Sequence, residues 1–160
     1  MAKADGMLQR LKDHPFFRDL DDKSLGQLAK CADERHYEAG TYIAREGDPA
    51  DRFFVLRHGT VAVELTAPGR GRLTLQTLGE GDILGWSWLV PPHRWAFSAR
   101  AVTLTRTLSL DAEKLRNKME ENHELGYRLL QRFLPVMAAR VHASRLQMLD
   151  LYAPPGREGL

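Results

Sequence analysis

The sequence has a single cysteine, Cys31, among its 160 residues. One thiol excludes an internal disulfide framework, and it cannot by itself hold an iron–sulfur cluster. Its neighbours, residues 28–32 (LAKCA), are typical of a helix end, where a free cysteine usually behaves as a small buried hydrophobe. We therefore expect Cys31 to be a packing residue and not a reactive thiol.

Long apolar runs and blocks of one charge are also missing. No stretch approaches the about 20 apolar residues of a membrane-spanning helix, and residues 1–6 (MAKADG) lack the apolar core of a signal peptide. The formal net charge is +2, and basic residues alternate with acidic ones, so no nucleic-acid surface is indicated. We expect a soluble, cytoplasmic protein with no direct contact to membrane or nucleic acid.

Signatures of metal binding and catalysis are absent as well. The six histidines are scattered, and no pair has the close spacing of metal ligands, although His58 and His93 fall near predicted loops. Residues 85–88 (GWSW) lack the second glycine of a nucleophile elbow. The sequence thus predicts a protein that is not an enzyme and has no metal site.

Three zones follow one another in what we expect to be a single domain, residues 1–160. Short helices are predicted within 7–32, strands and glycine turns within 34–110, and helices within 111–152, with a loose tail at 153–160. Inside the strand zone, Val61, Val63 and Leu65 alternate with Thr60, Ala62 and Glu64, which is typical of a half-buried strand. Short strands with frequent glycine turns favour an antiparallel barrel or sandwich.

Individual residues mark the boundaries of these zones. His14 precedes a proline and ends the first helix, and Asp111 is positioned to cap the helix that follows the strand zone. Gly40, Gly59 and Gly81 lie between strands, where the backbone needs positive φ. The sequence therefore predicts both the helix ends and the tight turns of the barrel.

A long helix is predicted from about His123. Its apolar side chains recur at spacings of three, four and seven residues, which indicates an amphipathic seam. Pro135 interrupts this pattern and is expected to kink or break the helix. The seam consists of Tyr127, Leu130, Leu134, Met137, Val141 and Met148.

Several short segments match a known pattern, in order along the chain. They are residues 16–20 (FFRDL), 39–43 (AGTYI), 46–48 (EGD), 51–56 (DRFFVL), 59–61 (GTV) and 79–85 (GEGDILG). This ordered set resembles the cyclic nucleotide-binding domain of the catabolite-activator and Fnr-type (Crp/Fnr) regulators. The resemblance covers about residues 8–150. It implies a mainly β fold: an antiparallel jelly-roll β-barrel of about eight strands, with short N-terminal helices and a long C-terminal helix.

The resemblance places a phosphate-binding cassette, a short helix, near residues 85–90. In the family the amides at the start of this helix meet the cyclic phosphate, an arrangement that suits anions. A glutamate immediately after the opening glycine usually holds the ribose, and an arginine about ten residues after that glycine neutralises the phosphate. With Gly85 as the opening glycine, these two positions are Trp86 and Trp95.

Residues 96–101 (AFSARA) fix this register, because they resemble the family's next strand. Arg94 lies one residue before the arginine position and replaces the missing cation if the loop at 91–92 (PP) is reshaped. Losing a buried arginine–phosphate contact costs several kcal/mol, on the order of a thousandfold in affinity. We therefore do not expect tight binding of cyclic AMP by the family's usual contacts.

The resemblance also implies roles for the long helix. In the family this helix pairs with its copy across a dimer axis, so a homodimer through residues 123–151 is expected, and one turn of it touches the purine. By residue count that turn falls at Arg140 and Val141. Transcriptional members continue into a helix-turn-helix domain that this sequence does not contain, so action through a partner protein or through dimer formation is expected.

Two hypotheses remain open at this point. The first is a ligand-responsive sensor for cyclic AMP, cyclic GMP or another small anionic or aromatic ligand, with an aromatic-walled pocket. The second is a ligand-independent protein-interaction scaffold, whose tryptophans fill the vacated pocket. The candidate ligand-contacting residues are Gly85, Trp86, Ser87, Trp88, Arg94, Trp95, Ser98, Arg140 and Val141.

Overall fold

The computed structural model describes residues 2–152, and side chains are described for residues 6–149. The predicted tail, residues 153–160, lies outside the described residues. The helices are α1 (Ala2–Asp13), a 3-10 helix (Pro15–Phe17), α2 (Asp22–Ala29), a second 3-10 helix (Ser87–Leu89), α3 (Ala112–Glu121) and α4 (His123–Tyr152). The strands are β1 (Ala32–Tyr37), β2 (Tyr42–Ala44), β3 (Arg52–His58), β4 (Val61–Ala67), β5 (Gly71–Leu78), β6 (Ile83–Leu84), β7 (Ser98–Ala101) and β8 (Thr105–Asp111).

The eight strands form two antiparallel four-stranded sheets. One has the order β1-β8-β3-β6, and the other has the order β2-β7-β4-β5. Apolar residues face each other across the strand pairs, as in Val55 opposite Leu108 and Val63 opposite Ala99, and all four side chains are buried. The predicted jelly roll with N-terminal helices and a long C-terminal helix is confirmed.

The long helix α4 packs on the barrel through its first half. Leu125, Leu129 and Phe133 recur every four residues on one face and are buried. The Phe133 ring meets Phe16 edge-on at 5.0 Å and Phe53 at 5.3 Å between ring centroids. The helix is thereby fixed against both the N-terminal 3-10 helix and strand β3.

Gly59 makes the turn between β3 and β4 possible. Its φ is +98°, and a Cβ at this position would lie 2.4 Å from the Leu104 carbonyl oxygen and 2.8 Å from Thr105 Cα. A side chain would therefore meet both the cost of positive φ and a clash with the neighbouring backbone. The predicted positive φ is also found at Gly40 and Gly81.

The predicted helix ends are confirmed. Helix α1 ends at Asp13, directly before His14. Asp111 caps α3, with its side chain accepting a hydrogen bond of 3.0 Å from the Lys114 amide. Cys31 is buried just after α2, and burial raises the pKa of its thiol. The thiol is therefore a packing group, as expected.

Some predicted boundaries and environments are wrong. Helix α1 begins at Ala2 and strand β1 begins at Ala32, which are five residues and two residues before the predicted starts of the helix and strand zones. Helix α4 continues through Pro135, so of the predicted kink or break the break does not occur. Glu64, on the polar side of the β4 alternation, is buried because Arg100 binds its carboxylate at 2.7 Å.

None of the helices in the described part of the chain combines the length and apolar character of a membrane span.

Candidate functional site

The short helix predicted near residues 85–90 is present as the 3-10 helix Ser87–Leu89. It follows Gly85, whose φ is +104°. A Cβ at Gly85 would lie 2.8 Å from Cη2 of Trp95, so the indole ring passes directly over this glycine. Glycine is required here by both the backbone angle and the close approach of the ring.

Trp95 is a wall of the barrel. Its side chain is buried, lies roughly parallel to Phe54 with 6.4 Å between ring centroids, and meets Phe97 edge-on at 6.0 Å. Its backbone amide donates to the Asp48 carbonyl, and its carbonyl accepts from the Gly47 amide, each at 2.9 Å. Trp95 therefore occupies the space above Gly85 from a fixed position in the barrel.

Trp88 belongs to the core and does not face a cavity. It has no exposed surface, stacks on Phe53 at 4.8 Å and meets Phe133 edge-on at 5.5 Å. Arg116 of α3 donates a hydrogen bond of 2.8 Å to the Trp88 carbonyl. The side chain thus joins the 3-10 helix to β3 and α4, so the structure places this predicted site residue in the core.

A cavity of about 470 Å³ lies between strands β4 and β5, the 3-10 helix region and α4. Of the predicted site residues, only Trp86, Arg140 and Val141 line it. The other eleven lining residues were not predicted as site residues. They are Val63, Leu65, Leu75, Gln76, Ala96, Phe97, Met137, Ala143, Ser144, Arg145 and Met148.

The α4 part of this lining had a signal in the sequence. Met137, Arg140, Ser144 and Met148 are three or four residues apart, so they share one face of the helix around the single turn predicted to contact a ligand. The strand residues gave no comparable signal, because inward-facing residues of any barrel strand are apolar.

Arg94 and Ser98 do not reach the cavity. The guanidinium of Arg94 is exposed and donates a hydrogen bond of 2.8 Å to the Gly47 carbonyl. The Ser98 hydroxyl accepts from the Glu46 amide at 3.0 Å. Both side chains therefore support the loop at residues 45–48, and in this structure Arg94 does not take the place of the missing cation.

Ser87 and Gly85 are also outside the cavity lining. Ser87 is buried, and its hydroxyl has no hydrogen-bond partner within the described residues. The cassette position therefore contributes only one side chain to the cavity, that of Trp86, which is half-buried and tilted against Phe97 at 6.4 Å.

The positively charged side chains that line this cavity, Arg140 and Arg145, both belong to the long helix. Arg140 lines the cavity and donates a hydrogen bond to the carbonyl of Ile83 in β6. Burial lowers the pKa of Arg140, because the surroundings disfavour its charge, while Asp82 partly offsets this effect. An arginine remains protonated in proteins, so Arg140 is a partly desolvated positive charge on the cavity wall.

A second and larger cavity, of about 550 Å³, lies beside the N-terminal helices. Its lining is mainly charged, and Arg10 and Arg57 are each paired with Glu34, at 3.1 and 2.9 Å. Because this lining is rich in charged groups, two of them already paired, whereas the cavity under α4 is mainly apolar, we take the cavity under α4 as the candidate ligand site.

Comparison with known proteins agrees with this fold. The family model of the cyclic nucleotide-binding domain matches residues 34–122. The chain belongs to the cyclic nucleotide-binding domain family. Domains of this family are typically regulatory modules without catalytic activity.

Relatives of this cyclic nucleotide-binding domain occur in proteins of different kinds. It is 26% identical over 144 residues to the CRP-like cAMP-activated global transcriptional regulator of Mycobacterium tuberculosis, covering 89% of this chain and 62% of the regulator. It is 31% identical over 127 residues to cyclic nucleotide-gated ion channel 18 of Arabidopsis thaliana, covering 73% of this chain and 18% of the channel. The chain therefore spans about three fifths of the length of the regulator and much less of the channel.

Solved structures share the fold of this domain over most of its length. A protein from Geobacter metallireducens is 29% identical with a TM-score of 0.75, covering 84% of this chain and 97% of that one. A cyclic nucleotide-binding domain from Methylobacillus flagellatus has a TM-score of 0.77 at 22% identity, covering 94% of this chain and 85% of that one.

Proposed function

We propose that this domain is a non-enzymatic sensor that responds to a small molecule in the cavity under α4, and that its cassette no longer grips a cyclic phosphate. One observation carries the proposal. Trp95 stands at the family's arginine position with its ring over Gly85, while Trp86, at the glutamate position, borders an open apolar cavity. The cassette is degenerate in its polar contacts, and the pocket beside it remains.

Loss of the two polar contacts lowers the affinity for cyclic nucleotides in particular. A cyclic phosphate at the start of the 3-10 helix would meet the Trp95 ring where the family offers a guanidinium, and a ribose hydroxyl would meet the Trp86 indole. Arg94 does not compensate, because it binds the Gly47 carbonyl. A missing charge-assisted contact of this kind costs several kcal/mol, on the order of a thousandfold in affinity.

The contacts of α4 provide a route from the cavity to the rest of the molecule. Arg140 joins α4 to Ile83, and Gln147 joins α4 to Leu75 through a hydrogen bond of 2.6 Å. Ile83 lies two residues before Gly85, so the same contact links α4 to the start of the cassette. A ligand that enters between the barrel and α4 competes with these hydrogen bonds and changes the position of the helix.

Homodimerisation through α4 completes the proposal. The seam predicted from the sequence is apolar and largely exposed, with Tyr127 at 63%, Leu134 at 61% and Val141 at 53% exposure. Its spacings of three, four, three and four residues are those of a coiled-coil seam. Met137, Val141 and Met148 belong both to the seam and to the cavity lining, so dimer formation and ligand binding involve the same part of α4.

A ligand-independent interaction scaffold is the second candidate function. It is favoured by the packing of Trp88 and Trp95, which fill the barrel beside the cassette and leave two of the three tryptophans without access to a ligand. On this alternative the exposed seam of α4 binds a partner protein, and the cavity has no occupant.

Thermal unfolding with a ligand panel distinguishes the two candidates. The panel contains cyclic AMP, cyclic GMP, and apolar and aromatic acids, each at about a hundred times a micromolar dissociation constant. A ligand of the native state adds roughly 2.7 kcal/mol, which raises the melting temperature by several degrees. The sensor proposal predicts a shift with an apolar or aromatic acid that exceeds any shift with the cyclic nucleotides. No shift with any compound would contradict it and favour the scaffold.

A further inference from the structure

We infer that the ligand of the cavity is an apolar molecule with a single acidic group, and that Arg140 binds this group at the α4 side while Trp86 and Phe97 contact the apolar part. The inference rests on the proposed function, since it names the ligand class of the same cavity. It reverses the polarity of the site, because the anion lies at the helix and not at the cassette.

The charges that line the cavity are all of one sign. Arg140 and Arg145 line it, and no aspartate or glutamate of the described residues does. The remaining polar lining consists of Gln76 and Ser144, both without charge. A cavity with two guanidinium groups and no carboxylate is electrostatically suited to a ligand that carries negative charge.

Arg140 is available to such a ligand. Within the described residues it forms no ion pair, and its one hydrogen bond is to the neutral carbonyl of Ile83. Asp82, which lines an adjoining cavity with Arg140, favours the charge of the guanidinium without forming a salt bridge to it. A guanidinium has five N–H donors, so most of its donor capacity is unused. A carboxylate that accepts two of these N–H groups would restore the solvation that burial has removed from the charge.

The opposite wall offers no positive charge to the acidic group. Trp86, Phe97 and Ala96 form the cassette side of the cavity, and Val63, Leu65, Leu75 and the uncharged Gln76 form the strand side. An anion held there would lose its hydration and meet only the neutral N–H groups of Trp86 and Gln76, which is less favourable than a guanidinium. The volume of about 470 Å³ is within the range of small-molecule pockets, so a ligand with an aromatic or aliphatic body fits along these walls.

Binding of the acid has a consequence for the fold. The carbonyl of Ile83 and the ligand carboxylate compete for the same guanidinium, and an ionised acceptor forms the stronger hydrogen bond. Ligand binding therefore weakens the Arg140–Ile83 contact between α4 and β6. Arg140 therefore binds the anion, and the loss of its hydrogen bond to Ile83 is the change that ligand binding causes in the position of α4.

A pair of fluorescent probes tests the inference on the whole chain. The anion is 8-anilinonaphthalene-1-sulfonate, and its uncharged counterpart is N-phenyl-1-naphthylamine, which has the same ring system. We expect the sulfonate to bind about tenfold more tightly or better than the amine, and Arg140→Gln to remove this preference. Arg94→Gln, a matched change of an arginine outside the cavity, should leave both affinities unaltered.

Two further variants locate the probes. Ala143 lines the cavity, and Ala143→Phe should weaken the binding of both probes. Ala138 is exposed on the same helix and does not line the cavity, so Ala138→Phe is the control. Retained binding of the uncharged amine to Arg140→Gln also establishes that this variant is folded.

Competition against the bound sulfonate distinguishes an apolar carboxylic acid from a cyclic nucleotide as the ligand. We expect laurate to displace the sulfonate at lower concentration than cyclic AMP does. Equal affinity of the sulfonate for the wild type and Arg140→Gln, with both probes bound, would overturn the inference and leave the proposed sensor function standing. Displacement by cyclic AMP but not by laurate would also overturn it. Binding of neither probe would contradict the proposed function itself.

Discussion

His14 is a buried histidine whose two ring nitrogens are both engaged. Nε2 lies 3.0 Å from the Leu56 carbonyl, and Nδ1 accepts the Phe16 amide at 3.2 Å. This pattern requires the neutral ring with its proton on Nε2, because the imidazolium has no acceptor for the Phe16 amide. Protonation of the ring would therefore remove the hydrogen bond from the Phe16 amide, while Nε2–H would still donate to the Leu56 carbonyl of strand β3.

The free energy of unfolding is predicted to fall as the pH drops below about 6.5. Burial lowers the pKa of His14 from its ordinary value of 6.5, an effect that Arg57 reinforces and that Leu56, Asp82 and Glu80 oppose. Below pH 6.5 the unfolded chain therefore binds a proton that the folded chain does not, and stability is lost progressively. Above that pH this histidine makes no pH-dependent contribution.

Urea unfolding between pH 5.5 and 7.5 measures this effect. His14→Gln retains a side-chain N–H for the Leu56 carbonyl but does not titrate, so it is the control. We expect a clear slope for the wild type and a smaller one for the variant. Equal slopes for the two proteins would show that His14 is not responsible.

At the scale of an element, the turn between β3 and β4 depends on one glycine. Gly59→Ala must place a Cβ 2.4 Å from the Leu104 carbonyl oxygen at a φ of +98°. Gly69→Ala is the matched control, because Gly69 also has positive φ, +76°, but open space around it. Positive φ costs alanine about 1–2 kcal/mol, so both variants lose that amount.

We predict that Gly59→Ala destabilises the domain by at least about 1 kcal/mol more than Gly69→Ala, since only the former must also displace backbone. Chemical denaturation of the two variants and the wild type measures the difference. Equal destabilisation would mean that the β3–β4 turn tolerates a side chain and that the approach of Leu104 is not a constraint.

Helix ends and tight turns were predictable from the sequence where they depend on residues close in the chain. The cap of α3 at Asp111 and the positive φ of Gly59 depend on neighbours in the chain, and both are as predicted. Of the kink or break predicted at Pro135, the break does not occur, because tertiary contacts on both sides of it, Phe133 with Phe53 and Arg140 with Ile83, hold one helix together.

The site was predictable only in part, because its residues come together through the fold. Trp86 and Arg140 were found through the resemblance, and both line the cavity. Trp88 and Arg94 were also predicted as site residues, but Trp88 lies in the core and Arg94 lies against the loop at Gly47. Adjacency along the chain does not determine whether a side chain turns into the core, into a cavity or towards a loop. The burial of Glu64 depends on Arg100 from another strand, which no local pattern contains.

At the scale of the whole molecule, the exposed seam of α4 predicts a homodimer. Leu134→Glu introduces a charge at a seam position that is 61% exposed, and it should convert the dimer to a monomer at micromolar concentration. His142→Glu makes a similar change at an exposed position outside the seam, and it should remain dimeric. Sedimentation velocity measures both; a monomeric wild type, or a dimeric Leu134→Glu variant, would contradict the prediction.

The whole molecule has the cyclic nucleotide-binding fold, and we propose that aromatic packing replaces the phosphate contacts of its cassette. Trp95 covers Gly85, Trp88 joins the cassette to the core, and Trp86 is left at the border of an apolar cavity. The positive charge that remains near the ligand position belongs to α4, through Arg140. On the proposed function, this arrangement keeps the pocket and the helix of a sensor and changes the class of ligand.

Calorimetric titration of cyclic AMP into the wild-type protein tests this account most directly. A loss on the order of a thousandfold moves a micromolar dissociation constant to about 1 mM, so we predict no saturable binding tighter than that value. A micromolar dissociation constant for cyclic AMP would contradict the account, because it would require a working phosphate grip at a cassette where Trp86 and Trp95 stand.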